Sequence, residues 1–200
     1  MLKKLNVLYI TLGVLILDQV TKLLVKGVSL PALGVSVYGM NYGESIHLLG
    51  DWLKITYIEN PNMAFGIELG GKLFLTVFAI IASIAIVVLL WRHREERLLF
   101  RLSLALVLAG AVGNLIDRSF YPLLYGTGGL FEGNVVDFIN FDLFSINLGS
   151  SSFKLWPIFN VADAAVSIGV VMLLITGFPQ KAANAAPSPA QPVDSATESQ

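Results

Sequence analysis

From Leu73 to Trp91 the chain runs for nineteen residues without a charged side chain. About 20 apolar residues in a helix cross the hydrocarbon of a bilayer, so this run is read as a membrane span, with Trp91 as its interfacial anchor. Composition extends the reading to the whole chain. Apolar residues make up 55% and charged residues 14%, against about 25% charged in a soluble domain. The net charge of −1 gives no electrostatic basis for binding nucleic acid. With no cysteine and only His47 and His93, thiolate chemistry and a histidine-rich zinc site are excluded. No metal and no cofactor are expected.

Three further stretches are apolar enough to join the first. Leu5 to Leu17 follows Lys3 and Lys4, a pattern shared with cleaved signal peptides. No small-residue cleavage site follows it, and the chain continues into Asp18-Gln-Val-Thr-Lys22. A retained span over 5–25 is expected, with Asp18 and Lys22 paired one helical turn apart. Leu102 to Arg118 is another span, and its Ala109, Gly110, Ala111 and Gly113 permit close helix approach. The last runs from Ile158 to Phe178, with Pro157 suited to a helix start. The expected fold is therefore a mostly α membrane protein, with four transmembrane helices at 5–25, 73–91, 102–118 and 158–178 and a small extracytoplasmic β element.

Loops 27–72 and 119–157 separate these spans. Trp52 to Glu59 alternates apolar and polar residues and is rich in β-branched and aromatic side chains, which predicts a strand. Asn134 to Ile139 predicts a second, shorter one. Residues 179–200 are Ala, Pro, Ser, Gln and Thr with little to bury, and read as a disordered cytoplasmic tail. His47 is expected at the surface or in packing rather than as a ligand.

Lys3, Lys4, Arg92, Arg94, Arg97, Arg101 and Lys181 all fall on one side of this topology. The positive-inside rule makes that side cytoplasmic, with both termini inside. At 1.5 Å per helical residue, Asp18, Lys22, Asn114, Asp117, Arg118, Asn160 and Asp163 then lie at one level, near the outer leaflet, with Asp137 in the outer loop. Intramembrane ionisable groups usually face the bundle interior and mark function. A structural role as helix glue also suits several of them, pairing Asp18 with Lys22, and Asp117 with Arg118 or a neighbour. For Asp137 and Asp163 that role is weaker, because no basic residue nearby in sequence offers a partner.

Two carboxylates brought together share a proton. One can draw a proton from water while the other, protonated, polarises a carbonyl and later helps protonate the leaving amine. That is peptide hydrolysis without a metal. A small proton-coupled transporter would use similar residues, although the inner halves of spans two and four hold few polar groups for a path across the bilayer. A non-enzymatic membrane scaffold would not need the aspartates at all.

Five short motifs sharpen the choice: Asp18-Gln-Val-Thr-Lys22, Asn60-Pro-Asn-Met-Ala-Phe-Gly66, Gly113-Asn-Leu-Ile-Asp-Arg118, Val135-Val-Asp-Phe138 and Phe159-Asn-Val-Ala-Asp163. In this order, over residues 5 to 178, the chain resembles the lipoprotein signal peptidases, the type II bacterial signal peptidases. The resemblance implies an inner-membrane aspartic endopeptidase that cleaves prolipoproteins before a diacylglyceryl-modified cysteine. It implies Asp137 and Asp163 as the catalytic pair, and Asp18, Lys22, Asn60, Asn114, Arg118 and Asn160 as residues that shape or support the site; Asp117 falls in the same motif as Asn114 and Arg118. Membrane lipids and the inhibitor globomycin are the further partners it implies, and a monomer is expected. The family commonly has glycine where this chain has Asn62; asparagine tolerates left-handed backbone better than most residues, so the turn is expected to survive.

Overall fold

The computed structural model describes residues 5–61, 71–142, 145–148, 151–154 and 156–178. Lys3, Lys4, Asn62, Lys181 and the tail from 179 lie outside the described residues. Four helices dominate: α1 (Val7–Lys26), α2 (Gly71–Arg92), α3 (Leu98–Tyr125) and α4 (Val161–Thr176). Among the described residues, α1, α2 and α3 are long and apolar enough to cross a membrane, and α4 is a shorter apolar helix. Exposed Leu12, Ile16, Phe78, Ile81, Leu174 and Ile175 give the bundle the apolar surface that lipid requires.

Two apolar clusters close the bundle at its ends. Val7, Leu90, Phe100, Leu104 and Leu108 knit the start of α1, the end of α2 and the start of α3. Val25, Tyr57, Tyr121, Val136 and Phe138 join the far ends of α1 and α3 to the sheet strands. Helix α3 packs directly against α4. A Cβ at Gly110 would collide with the carbonyl oxygen of Ala162, so glycine there sets how close the two helices come.

Two of the helices depart from the sequence expectation. Helix α3 continues past Arg118 to Tyr125 although Pro122 lies inside it. Proline has no N–H for the carbonyl one turn earlier, here that of Arg118, and the Gly133 N–H takes that acceptor instead at 2.9 Å. The proline thus leaves a docking point for the chain returning to the sheet. Helix α4 begins at Val161 rather than at Ile158, because Asn160 is its N-cap. Pro157 lies outside the helix.

The β element is larger than expected. Strand β1 (Val28–Leu30) pairs with β2 (Val35–Val37). Strands β3 (Ser45–Leu49), β4 (Leu53–Asn60) and β5 (Val135–Phe141) form an antiparallel sheet in the order β3-β4-β5. A hairpin of β6 (Ser145–Leu148) and β7 (Ser151–Lys154) follows. The β4–β5 register slips by one between Ile55 and Ile58, a bulge that exchanges the faces of the residues after it. Beyond the slip, Ile58 lies opposite Asp137 and Asn60 opposite Val135. Phe159 is stitched to β5, its N–H donating to the Ile139 carbonyl and its carbonyl accepting from Phe138 and Ile139. This stitch carries the head of α4 up to the strand that bears Asp137.

Candidate active site

Asn160 closes the head of α4 with a capping box. Its side-chain oxygen accepts from the Asp163 N–H at 2.9 Å, and its own N–H donates to Asp163 Oδ2 at 3.3 Å. That exchange satisfies helix-end donors which lipid would leave bare. The same Asn160 has a second partner. Its Nδ2 donates to Asp137 Oδ1 at 2.7 Å and to Asn114 Oδ1 at 3.2 Å. One fully buried asparagine therefore touches both aspartates.

The remaining carboxylate oxygens are also held. Asn114 Nδ2 donates to Asp163 Oδ1 at 2.8 Å, and Asn60 Nδ2 donates to Asp137 Oδ2 at 3.1 Å. Asn60 reaches Asp137 diagonally across the β4–β5 ladder, a contact that depends on the bulge. The orientation of the Asn114 amide follows from Lys22, whose Nζ donates to its Oδ1 at 2.9 Å.

Lys22 is the centre of a fully buried ionic group. Its Nζ lies 2.9 Å from Asp18 Oδ2 and 2.8 Å from Asp117 Oδ2. Both carboxylates reach further, to backbone. Asp18 Oδ1 accepts from the Ala162 N–H at 2.9 Å, and Asp117 Oδ2 accepts from the Val136 N–H at 3.1 Å. These are the residues immediately before Asp163 and Asp137. Each aspartate is thus held by its side chain and, one residue earlier, by its main chain.

Asp137 and Asp163 line one cavity of about 520 Å³ with Asn60, Asn114 and Arg118. The rest of the lining is mainly apolar, from Leu75 and Phe78 of α2 to Trp156 and Phe159 before α4. Arg118 donates to the Pro61 carbonyl at 3.3 Å. Burial, then the neighbouring charge of Asp163, pushes the Asp137 carboxyl up to about 7, against the opposing hydrogen bonds of Asn60 and Asn160. Asp137 is therefore a group that holds a proton near neutrality beside a second carboxylate.

The candidate site residues read from the sequence, Asp18, Lys22, Asn60, Asn114, Asp117, Arg118, Asp137, Asn160 and Asp163, all fall in this assembly. The expected pair of Asp18 with Lys22 is present, and Asp117, for which Arg118 or a neighbour was the expected partner, pairs with the same Lys22. Gln19 is a member that sequence reading passed over. Its Nε2 donates to Asp18 Oδ2 at 3.0 Å and to Asp117 Oδ1 at 3.0 Å, and its Oε1 accepts from the Tyr121 hydroxyl at 3.3 Å. Its place inside the motif Asp18 to Lys22 was the available signal. His47 is exposed, with Nδ1 near the Gly50 carbonyl and Asp51, as expected.

A family model described as Signal peptidase (SPase) II matches residues 10–178. The chain belongs to the signal peptidase II family. A lipoprotein signal peptidase of Porphyromonas gingivalis is 37% identical over 188 residues, covering 80% of this chain and 77% of that one. One from Chlorobium phaeobacteroides is 36% identical over 162 residues, covering 81% and 83%. Two solved bacterial membrane enzymes, at 2.3 and 1.9 Å resolution, superpose with TM-scores of 0.61 and 0.59 at 32% and 31% identity. The first match covers 86% of both chains, and the second covers 86% of this chain and 91% of the other. As a signal peptidase II, the protein is a multi-pass membrane peptidase of the aspartic type, processing prolipoproteins by removing their signal peptides. Family membership does not favour the transporter.

Proposed function

We propose that Asp137 and Asp163 are the catalytic pair of this signal peptidase II. The observation that carries the reading is their convergence on one largely apolar cavity, with Asn160 bonded to both. In such surroundings the pair shares one proton. The ionised carboxylate takes a proton from water, whose oxygen attacks the scissile carbonyl carbon. The protonated carboxyl gives its proton to the carbonyl oxygen. The tetrahedral intermediate then collapses, the C–N bond breaks, and the amine nitrogen leaves with a proton supplied by the pair. Asn60, Asn114 and Asn160 hold the two carboxylates in place throughout, while Asp18, Lys22 and Asp117 fix the backbone on either side. Arg118 supplies a positive charge at the cavity wall.

The bond cleaved is the one before a diacylglyceryl-modified cysteine. The lipid lies in the outer leaflet of the cytoplasmic (inner) membrane, and the signal helix beside α2 and α4, where Leu75, Phe78 and Ile168 offer apolar wall. The α2–α3 link carrying Arg92, Arg94 and Arg97 is cytoplasmic by the positive-inside rule, as are both termini, so the cavity and sheet face outward. The enzyme works as a monomer, and globomycin inhibits it from the same cavity.

The test is cleavage by the purified protein of a diacylglyceryl prolipoprotein and of the same precursor without its lipid. Release of the signal peptide from the first and poor release from the second are expected. Equal rates on both would refute outer-leaflet docking, and no release from either would refute the activity. Flux of protons or solute in sealed liposomes, without cleavage, would favour the transporter.

A further inference from the structure

A second charged cluster lies behind the sheet and outside the machinery described above. Glu59, one residue before Asn60, accepts hydrogen bonds from Lys26, from the Tyr57 hydroxyl at 2.6 Å and from Asn134 Nδ2 at 3.3 Å. Lys26 is the last residue of α1, and its Nζ stands 4.4 Å from the ring centroid of Tyr125 at the end of α3. The Tyr125 hydroxyl donates back to the Gly27 carbonyl at 2.6 Å. Asn134 directly precedes β5. One carboxylate therefore ties the ends of two helices to both strands of the site.

Successive residues of a strand face opposite sides of a sheet. Glu59 thus holds β4 from behind, while Asn60, across a single peptide bond, donates to Asp137 in front. We infer that Glu59, clamped by Lys26, is a positioning residue for the peptidase reaction, holding Asn60 at hydrogen-bond distance from Asp137. The inference rests on the dyad reading. It gives a use to a charged pair that, among the described residues, neither lines the cavity nor hydrogen-bonds to the Asp18–Lys22–Asp117 group. Burial alone would raise the Glu59 carboxyl, but the bonds from Lys26 and Tyr57 and the charge of Lys26 hold it below its ordinary range, so it is ionised at working pH.

Asn60 stabilises the charged form of Asp137. Removing its bond therefore lets Asp137 keep its proton to higher pH, and the alkaline limb of the pH–rate profile moves up. The charged groups bearing most on Asp137, Asp163 of α4, Lys22 of α1 and Arg118 of α3, are unchanged in the test. Loss of the Glu59 charge by itself favours ionised Asp137 and moves the limb down, opposite to the shift expected from misplacing Asn60. The experiment compares kcat/KM from pH 5 to 9 for the full-length enzyme, Glu59→Gln, Asn60→Ala and the double variant on a diacylglyceryl prolipoprotein.

Glu59→Gln is expected to lower kcat/KM about tenfold, through misplacement of a catalytic group, and to raise the alkaline limb as Asn60→Ala does. The double variant is expected to match Asn60→Ala alone, because the two act in series. Glu59→Asp, which restores the charge, is expected to return the limb toward wild type. If Glu59→Gln folds poorly, Asn134→Ala carries the same expectation in smaller degree, since it removes the β5 arm and leaves the Lys26 pair. A limb that stays at its wild-type pH in Glu59→Gln and Asn134→Ala, or shifts that add in the double variant, would overturn the inference. Asp137→Asn separates the two readings: its retained activity sinks the dyad, whereas its inactivity with an unmoved Glu59→Gln limb sinks only the positioning role.

Discussion

Asn160 joins the two aspartates because it caps a helix and crosses to a strand with the same side chain. Its partner Asp137, raised to about 7 by burial and by Asp163, fixes the expected pH response. A carboxyl whose folded value lies above its unfolded value near 4 contributes stability that is complete below that value. The contribution is lost as pH rises through about 7. Activity that needs the shared proton falls over the same upper range, so kcat/KM measured against pH should show an alkaline limb near neutrality. Lys22 gives a second prediction. Lys22→Met leaves Asp18 and Asp117 buried without their cation, which costs about 3–5 kcal/mol and should lower the thermal midpoint of the detergent-solubilised protein sharply. These polar residues were legible in the sequence because charge inside a membrane is expensive. The Asp18–Lys22 pair was legible too, from its one-turn spacing, whereas the links of Lys22 to Asp117 and of Asp117 to the Val136 N–H were not, because they join residues from different elements.

At the level of elements, β5 is positioned by the end of α3. The Gly133 N–H uses the Arg118 carbonyl that Pro122 leaves free, and a Cβ at Gly133 would lie 2.9 Å from Arg118 Cα. Gly133→Ala should therefore displace the start of β5 and reduce cleavage about tenfold or more, with α3 itself intact by circular dichroism. Helix α2 was visible at once as an uncharged run, and α3 mostly so. The start of α4 was hidden, because Pro157 and the apolar Ile158 and Phe159 extend the hydrophobic pattern past the true cap. Its decisive signal is the Asn160…Asp163 spacing of a capping box. Strands β1 to β3 are short, and between β2 and β3 the chain passes so close to the end of α1 that a Cβ at Gly39 would collide with the Lys26 carbonyl carbon, an approach that no local pattern encodes.

For the whole molecule, one end of the bundle is closed by apolar packing and the other carries the sheet, the ionic group and the cavity. Since the chain has no cysteine, single replacements report which end faces outward. Thr127→Cys, after α3, should react with an impermeant thiol reagent added to intact cells, and Glu95→Cys, between α2 and α3, only after the membrane is opened. Reversed labelling would invert the topology. The most direct measurement is signal-peptide release from a diacylglyceryl prolipoprotein by purified Asp137→Asn and Asp163→Asn, each with wild-type melting behaviour. Both should lose about 10²–10⁴-fold in rate, the range for removing a general acid or base. Wild-type cleavage by either folded variant would show that the two aspartates are not the catalytic pair.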